Sequence, residues 1–456
     1  MADLESFSPA ELIALIRELQ RQIEELRREN EELRRRQGRS AAPFSKGAGK
    51  ENPKPPGRKA GEGVFLRRED PVGENGETIS VAVEAECCPD CGGALEPGWT
   101  ETASITDLVE MPLPVVRRYE VEVCRCRQCG RKVRGRHADL AADQCGATAH
   151  RLGPRVKAAA HVLHYSAGVP VRKVPAILKE LTGIRVTQSA LTQDALKRSE
   201  ATIGRAYEQL RADVQKAPVV HTDDTGWRTA GAPAQLMVFE TDTETVFQIR
   251  PQHRNEEVRE VIPSDYTGVM VTDRGKSYDA TELNGVAQQK CLSHPIRNAS
   301  AVVKEKRGPA RQFGMKLKEL LRGSIQLRRR RDDVPDYEAR VERIEADLTH
   351  HLRIRILQDP DNQRLLDGIG WQHDRGNVLR FLHHPEVEPT NNRAERALRP
   401  AVIARKVSHC SKNQRGAYAF TVFVSLAQTF RKSPVPSLTE AFLAFFRRSP
   451  SASTSP

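Results

Sequence analysis

Three acids stand out in a strongly basic chain. Asp223 lies in APVVHTDDTGW, Asp273 in TGVMVTDRGKSYDA, and Glu395 in PTNNRAERALRP, where it is a single acid among arginines. Hard divalent magnesium prefers carboxylate oxygen and keeps positions open for water and phosphate. Three converging acids can therefore hold two Mg2+ (or Mn2+) ions for in-line displacement at phosphorus, one activating the attacking oxygen and the other stabilising the leaving one. Glu395 also has plainer readings. Asn392 as a helix N-cap with a glutamate three residues on makes a capping box, and Arg399, four residues on, suits a helix ion pair worth about 0.2–0.5 kcal/mol. Asp223 and Asp224 are adjacent, and side chains alternate along a strand, so one of them faces the site. Asp223 is the choice, with Asp224 read as a turn cap onto Thr225 or Gly226. Arg393, Arg396, Arg399, Arg405 and Lys406 around Glu395 would hold phosphate while the carboxylate holds the ion.

The second chemical constellation is thiolate. Six of the nine cysteines fall between Cys87 and Cys129. CPDCGGAL supplies Cys88 and Cys91, and VCRCRQCGRK supplies Cys126 and Cys129. Two Cys-x-x-Cys knuckles, each followed by glycine, allow four thiolates to converge on one structural Zn2+. Cys87 and Cys124 stand outside the matched pairs and read as spectators. The apolar-alternating SITDLVEMPLPVVRRYEVEV between the knuckles reads as strands, so the module resembles a zinc ribbon.

These groups need elements to position them. At 456 residues several domains are expected. Lys+Arg (72) exceed Asp+Glu (60), giving +12, which favours a polyanionic partner through counterion release from phosphates. The N-terminus has no apolar targeting segment and no run of about eighteen apolar residues occurs, so no membrane association and a cytosolic or nucleoid location are expected. Leu12, Leu19, Leu26 and Leu33 recur every seventh residue, with Ile16, Ile23 and Asn30 at the a positions. Leucine at d with isoleucine at a favours a two-stranded coiled coil, its register fixed by the asparagine. Residues 1–37 therefore read as a dimerising leucine zipper and 38–63, rich in Pro, Gly, Ser and Lys, as a basic flexible linker. Residues 64–145 form the zinc-binding module. Over 146–212, VRKVPAILKELTG and RVTQSALTQDALKRS predict two short helices about a Gly183 turn, the outline of a DNA-binding helix-turn-helix, with Arg172 and Lys173 at its basic approach.

From 213 to 298 the hydrophobic period falls to two. The chain reads β-β-β-α-β-α-β, with Gly231-Ala-Pro233 as the first turn and VAQQKCLSHPIRN as the last strand. That order puts strands one and four side by side in an RNase H-like sheet. Residues 299–372 read as a basic helical insertion, 373–432 as the second part of the core with the Glu395 helix, and 433–456 as a C-terminal helix and disordered tail. The fold class expected is multidomain α+β.

In combination, AAPFSKG, NPKPPGRKAG, the paired knuckles, LHYSAGVPVRKV, VTQSAL, HTDDTGWR, VTDRGKSYD, CLSHPIRN and RFLHHPEVEPTNNRAERALRPAVIARK resemble bacterial insertion-sequence transposases of the IS-sixty-six family. The resemblance implies a DDE catalytic core with Asp223, Asp273 and Glu395 as first, second and third acids. It implies binding of double-stranded DNA at the element's inverted repeats and at the target, strand cleavage and strand transfer. A homodimer or higher oligomer on DNA, with accessory proteins of the same element, belongs to the same expectation. Asp224 stands where the family usually has glutamate, and Leu292-Ser293 where it usually has tryptophan and alanine. Cys291 and His294 accordingly read as a local brace rather than metal ligands. Two rival functions are a DNA-binding repressor of transposase origin and a metal-dependent structure-specific nuclease.

Overall fold

The computed structural model describes residues 13–14, 16–26, 79–96, 100, 114–137, 140, 152–353 and 356–447. Leu12, Asn30, Leu33, the linker and the tail beyond 447 lie outside them. Residues 16–26 form helix α1, whose Ile16, Leu19, Ile23 and Leu26 side chains are 49–57% exposed along a single chain. The two knuckles fold as the same turn. Cys88 N–H donates to Gly93 O (2.9 Å) and Gly92 N–H to Cys88 O (2.8 Å); Cys126 N–H donates to Arg131 O (2.8 Å) and Gly130 N–H to Cys126 O (2.9 Å). Gly92 and Gly130 close these turns at φ 71° and 69°, a conformation that favours glycine. Strands β1 (Val123–Arg125) and β2 (Lys132–Arg134) pair antiparallel around the second knuckle. The strands thus use a knuckle as their turn, and residues 114–122, expected to be extended ladder between the knuckles, carry no strand.

Helices α2 (Pro154–His161), α3 (Val174–Thr182), α4 (Gln188–Ser199) and α5 (Thr202–Val214) follow. Gly183 ends α3 at φ 70°, and Thr187 caps α4 by accepting from Ala190 N–H at 3.2 Å, giving the expected helix pair. Between α2 and α4 a charge cluster is buried. Asp194, 3% exposed, meets Lys157 Nζ (3.2 Å), His161 Nε2 (3.0 Å) and Arg198 Nε (3.3 Å).

The sheet has the order β5-β4-β3-β6-β7. Strands β3 (Val219–Thr229), β4 (Ala232–Glu240) and β5 (Thr245–Arg250) are an antiparallel meander; β6 (Val269–Thr272) and β7 (Ala287–Lys290) add in parallel. The first turn is Ala230-Gly231, both at positive φ (54° and 82°), so Ala232 and Pro233 already belong to β4. Strands one and four are neighbours, as the order predicts. A short helix α6 (Asn255–Arg259) leads to β6, but β6 and β7 are joined by two 3-10 turns, Lys276–Tyr278 and Thr281–Leu283, where a helix was expected. Only 287–290 of the last expected strand is extended, and its remainder opens α7.

Helices α7 (Ser293–Glu305), α8 (Gly308–Arg329), α9 (Tyr337–His351) and α10 (Pro360–Asp374) form the expected helical segment. Their apolar faces share one core with Val269 and Val271 of β6. On the other side of the sheet, Met237, Phe239, Val246 and Met270 pack with α5, α12 (Gln414–Phe430) and α13 (Leu438–Arg447). Helix α11 (Asn392–Ser408) lays Ala394, Leu398 and Ala401 against Trp227, Leu236 and Val238. No described helix is long and apolar enough to cross a membrane.

Burial alone would raise the Asp194 carboxyl, but the His161 bond and the Lys157 and Arg198 charges hold it well below the usual range. An acid depressed in the folded state stabilises above its unfolded pKa, near 3.9, and that stability drains as pH falls further. Asp194→Leu should cost about 3–5 kcal/mol at neutral pH, because it strands buried cations. Denaturant unfolding at pH 7 and pH 3 should show the penalty shrinking in acid; an equal penalty at both would remove the charge account.

Candidate active site

β3 and β6 run parallel in the register Val219↔Val269, Val220↔Met270, His221↔Val271. Two residues further on, that register brings Asp223 beside Asp273, which directly follows the end of β6. Asp223 is not at the end of its strand. β3 continues to Thr229, beyond its pairing with β6, keeping β4 on one side and meeting Ser411 on the other only at Thr229, so the acid sits where the sheet opens on one side. Asp223 Oδ1 accepts the Asp224 N–H at 2.9 Å. Asp273 Oδ1 accepts the Gly275 N–H at 2.8 Å, and a Cβ at Gly275 would come within 2.9 Å of that oxygen. A side chain at this point of the loop would push the Asp273 carboxylate aside.

Glu395 occupies the first turn of α11. The helix starts at Asn392 with Asn391 as N-cap residue, and no side-chain cap bond forms, so the Asn392–Glu395 capping box is absent. Asn391 instead turns inward and donates to Thr222 O at 2.7 Å. Burial pushes the Asp223 carboxyl up to about 7; the Asp224 N–H bond pulls the other way, and the charges of Asp273, Asp224 and Glu395 add to the rise. All three expected acids thus bear on one point. As the side chains stand, no group of three or more His, Cys, Asp or Glu among the described residues is close enough to hold a metal ion. This applies equally to the thiols, which pair as Cys88 with Cys91 and Cys126 with Cys129.

Asp224 faces away from Asp223 and pairs with His253 Nδ1 at 3.0 Å. The His253 ring also meets Ser277 Oγ (3.2 Å) and stands edge-on to Tyr278. The expected turn cap is missing because β3 runs straight through Thr225 and Gly226, leaving no turn to cap. His221, on the Asp223 face of β3, is held neutral: burial and the nearby Arg393 charge pull it down to about 4.

The basic residues divide. Arg393 is committed to Asp242 (2.5 Å), and Arg405 donates to Thr225 Oγ1 (3.0 Å) and to Gly226 O, pinning α11 onto β3. Arg396, Arg399 and Lys406 are exposed along α11, and Arg172 and Lys173 are exposed just before α3. Two cations that the sequence reading passed over lie near the acids. Arg274 follows Asp273, is half-buried, and packs so closely on α10 that a Cβ at Gly368 would come within 2.6 Å of its Nη1. Lys290, 2% exposed, bonds Asp279 Oδ1 (2.9 Å) and Thr272 Oγ1 (3.1 Å), while burial lowers its pKa. The only sequence signal was a lysine closing an otherwise interior strand. Cys291 is buried, and its Sγ accepts the Asn391 N–H at 3.2 Å. Burial would raise this thiol, but bonds from His294 and from backbone N–H groups bring it below its ordinary value, and His294 is raised in return. Cys291 and His294 are thus hydrogen-bonded to each other.

A β-β-β-α-β-β order with Asp223, Asp273 and Glu395 near the edge where β3 and β6 part defines a mixed α/β scaffold. The sequence model of the Transposase IS66 family matches residues 150–419, more than half of the chain and all of this site, and the chain belongs to that family. No curated protein matches it.

Asp223 holds its proton to about pH 7 when folded but releases it near 3.9 when unfolded. The unfolded chain therefore deprotonates first as pH rises, and stability falls between about pH 4 and 7, with the full penalty above. In chelator, Asp223→Asn should gain Tm over wild type as pH rises from about 4.5 to about 8. A Tm difference independent of pH would show that Asp223 is not the strained acid.

Proposed function

We propose that this transposase binds the terminal inverted repeats of its element, cleaves a DNA strand to leave a 3′-hydroxyl, and joins that hydroxyl to target DNA at Asp223, Asp273 and Glu395. The observation that carries this reading is the elevated Asp223 carboxyl, crowded by Asp273, Asp224 and Glu395 at one edge of the sheet. Such an excess of buried negative charge fits divalent cations, and carboxylate oxygen is the donor that magnesium selects. When bound, two Mg2+ or Mn2+ ions would activate the attacking oxygen and stabilise the leaving one. Asp223 must give up its proton to serve as a ligand, Asp273 is oriented by Gly275, and Asp224 is kept out by His253. Arg274 sets a positive charge beside Asp273 where a phosphate would lie, and exposed Arg396, Arg399 and Lys406 would track the DNA backbone. The strand order supports an RNase H-like core, and the α3–α4 pair a helix-turn-helix.

The matched knuckle turns support one structural zinc on Cys88, Cys91, Cys126 and Cys129, with donor type and paired N–H···O geometry both suited to it. The heptad seam on α1 supports a homodimer that could pair two element ends, in the bacterial cytosol or nucleoid.

Asp223→Asn, Asp273→Asn and Glu395→Gln should each lower magnesium-dependent nicking of an inverted-repeat duplex by roughly 10²–10³-fold or more while gel-shift binding persists, and Asp224→Asn should be far milder. A Glu395→Gln protein that nicks at the wild-type rate would return Glu395 to a structural role. Binding without nicking in the wild type would favour the repressor, and nicking without joining the nuclease.

Elemental analysis of the full chain should give about one zinc per protomer, lost in Cys88→Ser and in Cys126→Ser alike. Full-length protein that is folded and zinc-free would overturn the shared site.

A further inference from the structure

The three acids are carried by segments far apart in sequence, yet their backbones meet at two residues, Asn391 and Cys291. Both are 1% exposed. Asn391 Nδ2 donates to Thr222 O, the carbonyl of the residue just before Asp223, at 2.7 Å. The Asn391 carbonyl accepts the N–H of Glu395 itself at 3.2 Å. Its own N–H donates to Cys291 Sγ at 3.2 Å. Cys291 N–H donates in turn to Thr272 O, just before Asp273, at 2.8 Å. The neighbouring bond from Leu292 N–H to Pro389 O (2.9 Å) doubles the seam between β7 and the approach to α11. Peptide units are planar and stiff, so fixing the carbonyl before an aspartate fixes the start of that aspartate within one pair of soft torsions.

The chemistry of the two residues suits this use. An N-cap asparagine ordinarily spends its side-chain oxygen on the first turn of its own helix. Asn391 makes no such bond and gives its amide N–H to a different element. Apolar replacement would leave the Thr222 carbonyl buried and unpaired, which loosens the strand beside Asp223 in particular.

We propose that Asn391 and Cys291 are positioning residues that set the spacing of Asp223, Asp273 and Glu395, so that cation affinity depends on two side chains that touch neither cation nor DNA. This rests on the reading of the three acids as ligands. Groups that orient ligands in this way change metal affinity by about 10–100-fold when removed.

The test is Mn2+ binding to full-length protein without DNA, followed by electron paramagnetic resonance of the free ion. Magnesium titration of nicking, gel-shift binding and thermal unfolding are measured alongside. Asn391→Leu and Cys291→Ala should weaken Mn2+ binding by about 10–100-fold and raise the magnesium needed for half-maximal nicking by a similar factor. High magnesium should restore most of the rate, and DNA binding should be unchanged. Cys291→Ser keeps an acceptor for the Asn391 N–H and should lose less than Cys291→Ala. Should Asn391→Leu fail to fold, the Cys291 pair gives the same readout. Lower Tm with unaltered Mn2+ affinity in the folded variants would reduce the two residues to ordinary packing and overturn the proposal. Asp223→Asn separates the underlying reading: if it too binds Mn2+ like wild type, the ligand assignment fails and the proposal with it. If it alone loses Mn2+, the assignment stands and the positioning role falls.

Discussion

Parallel pairing of β3 with β6 obliges Asp223 and Asp273 to share one edge of the sheet, and two carboxylates on one partly buried edge repel. The cost appears in the Asp223 carboxyl, raised to about 7 by burial and its acidic neighbours. Much of the surrounding architecture relieves or contains this stress. Asp224 is drawn off by His253, and Asp273 is held by an N–H from Gly275. Lys290 is anchored behind β6 through Thr272 and Asp279. Stability is given up at the one point of the sheet where carboxyls are held close together.

The cations near this edge fall into two kinds. Arg393 and Arg405 are tied to Asp242 and to β3, so their work is to seat α11. Arg274 lies between the second acid and the inserted helices, its guanidinium against Gly368. The insertion is thereby joined to the site twice, through that arginine and through the core it shares with β6. It is part of the scaffold that carries Asp273.

Much of this was legible in the sequence because it follows from local pattern. Alternating apolar residues gave the meander and the adjacency of strands one and four. The Cys-x-x-Cys-Gly repeats gave the knuckle turns, whose positive φ requires glycine. What failed depended on partners remote in sequence. The helix expected between β6 and β7 gives way to 3-10 turns because the Gly275 N–H is engaged by Asp273 and Tyr278 is buried beneath, its hydroxyl 3.3 Å from Thr222 Oγ1. The capping box gives way because Asn391, not Asn392, precedes the helix and its side chain is used across the fold. Asp224 as a turn cap assumed that β3 stops, whereas its antiparallel pairing with β4 continues for five residues beyond. Arg393 and Arg405 look like phosphate binders in sequence because nothing local announces their partners.

The bond between Asn391 and Thr222 joins residues 169 positions apart. During synthesis the sheet, whose last strand ends at Lys290, emerges well before α11 begins at Asn392, and contacts of such separation form late because the intervening loop must first be closed. Until α11 has been made and docks, Asp223 and Asp273 lack both Glu395 and the Asn391 bond. A polypeptide that stops short of α11 therefore lacks the bond that covers the edge of β3 beside Asp223, and that edge is closed only when α11 docks.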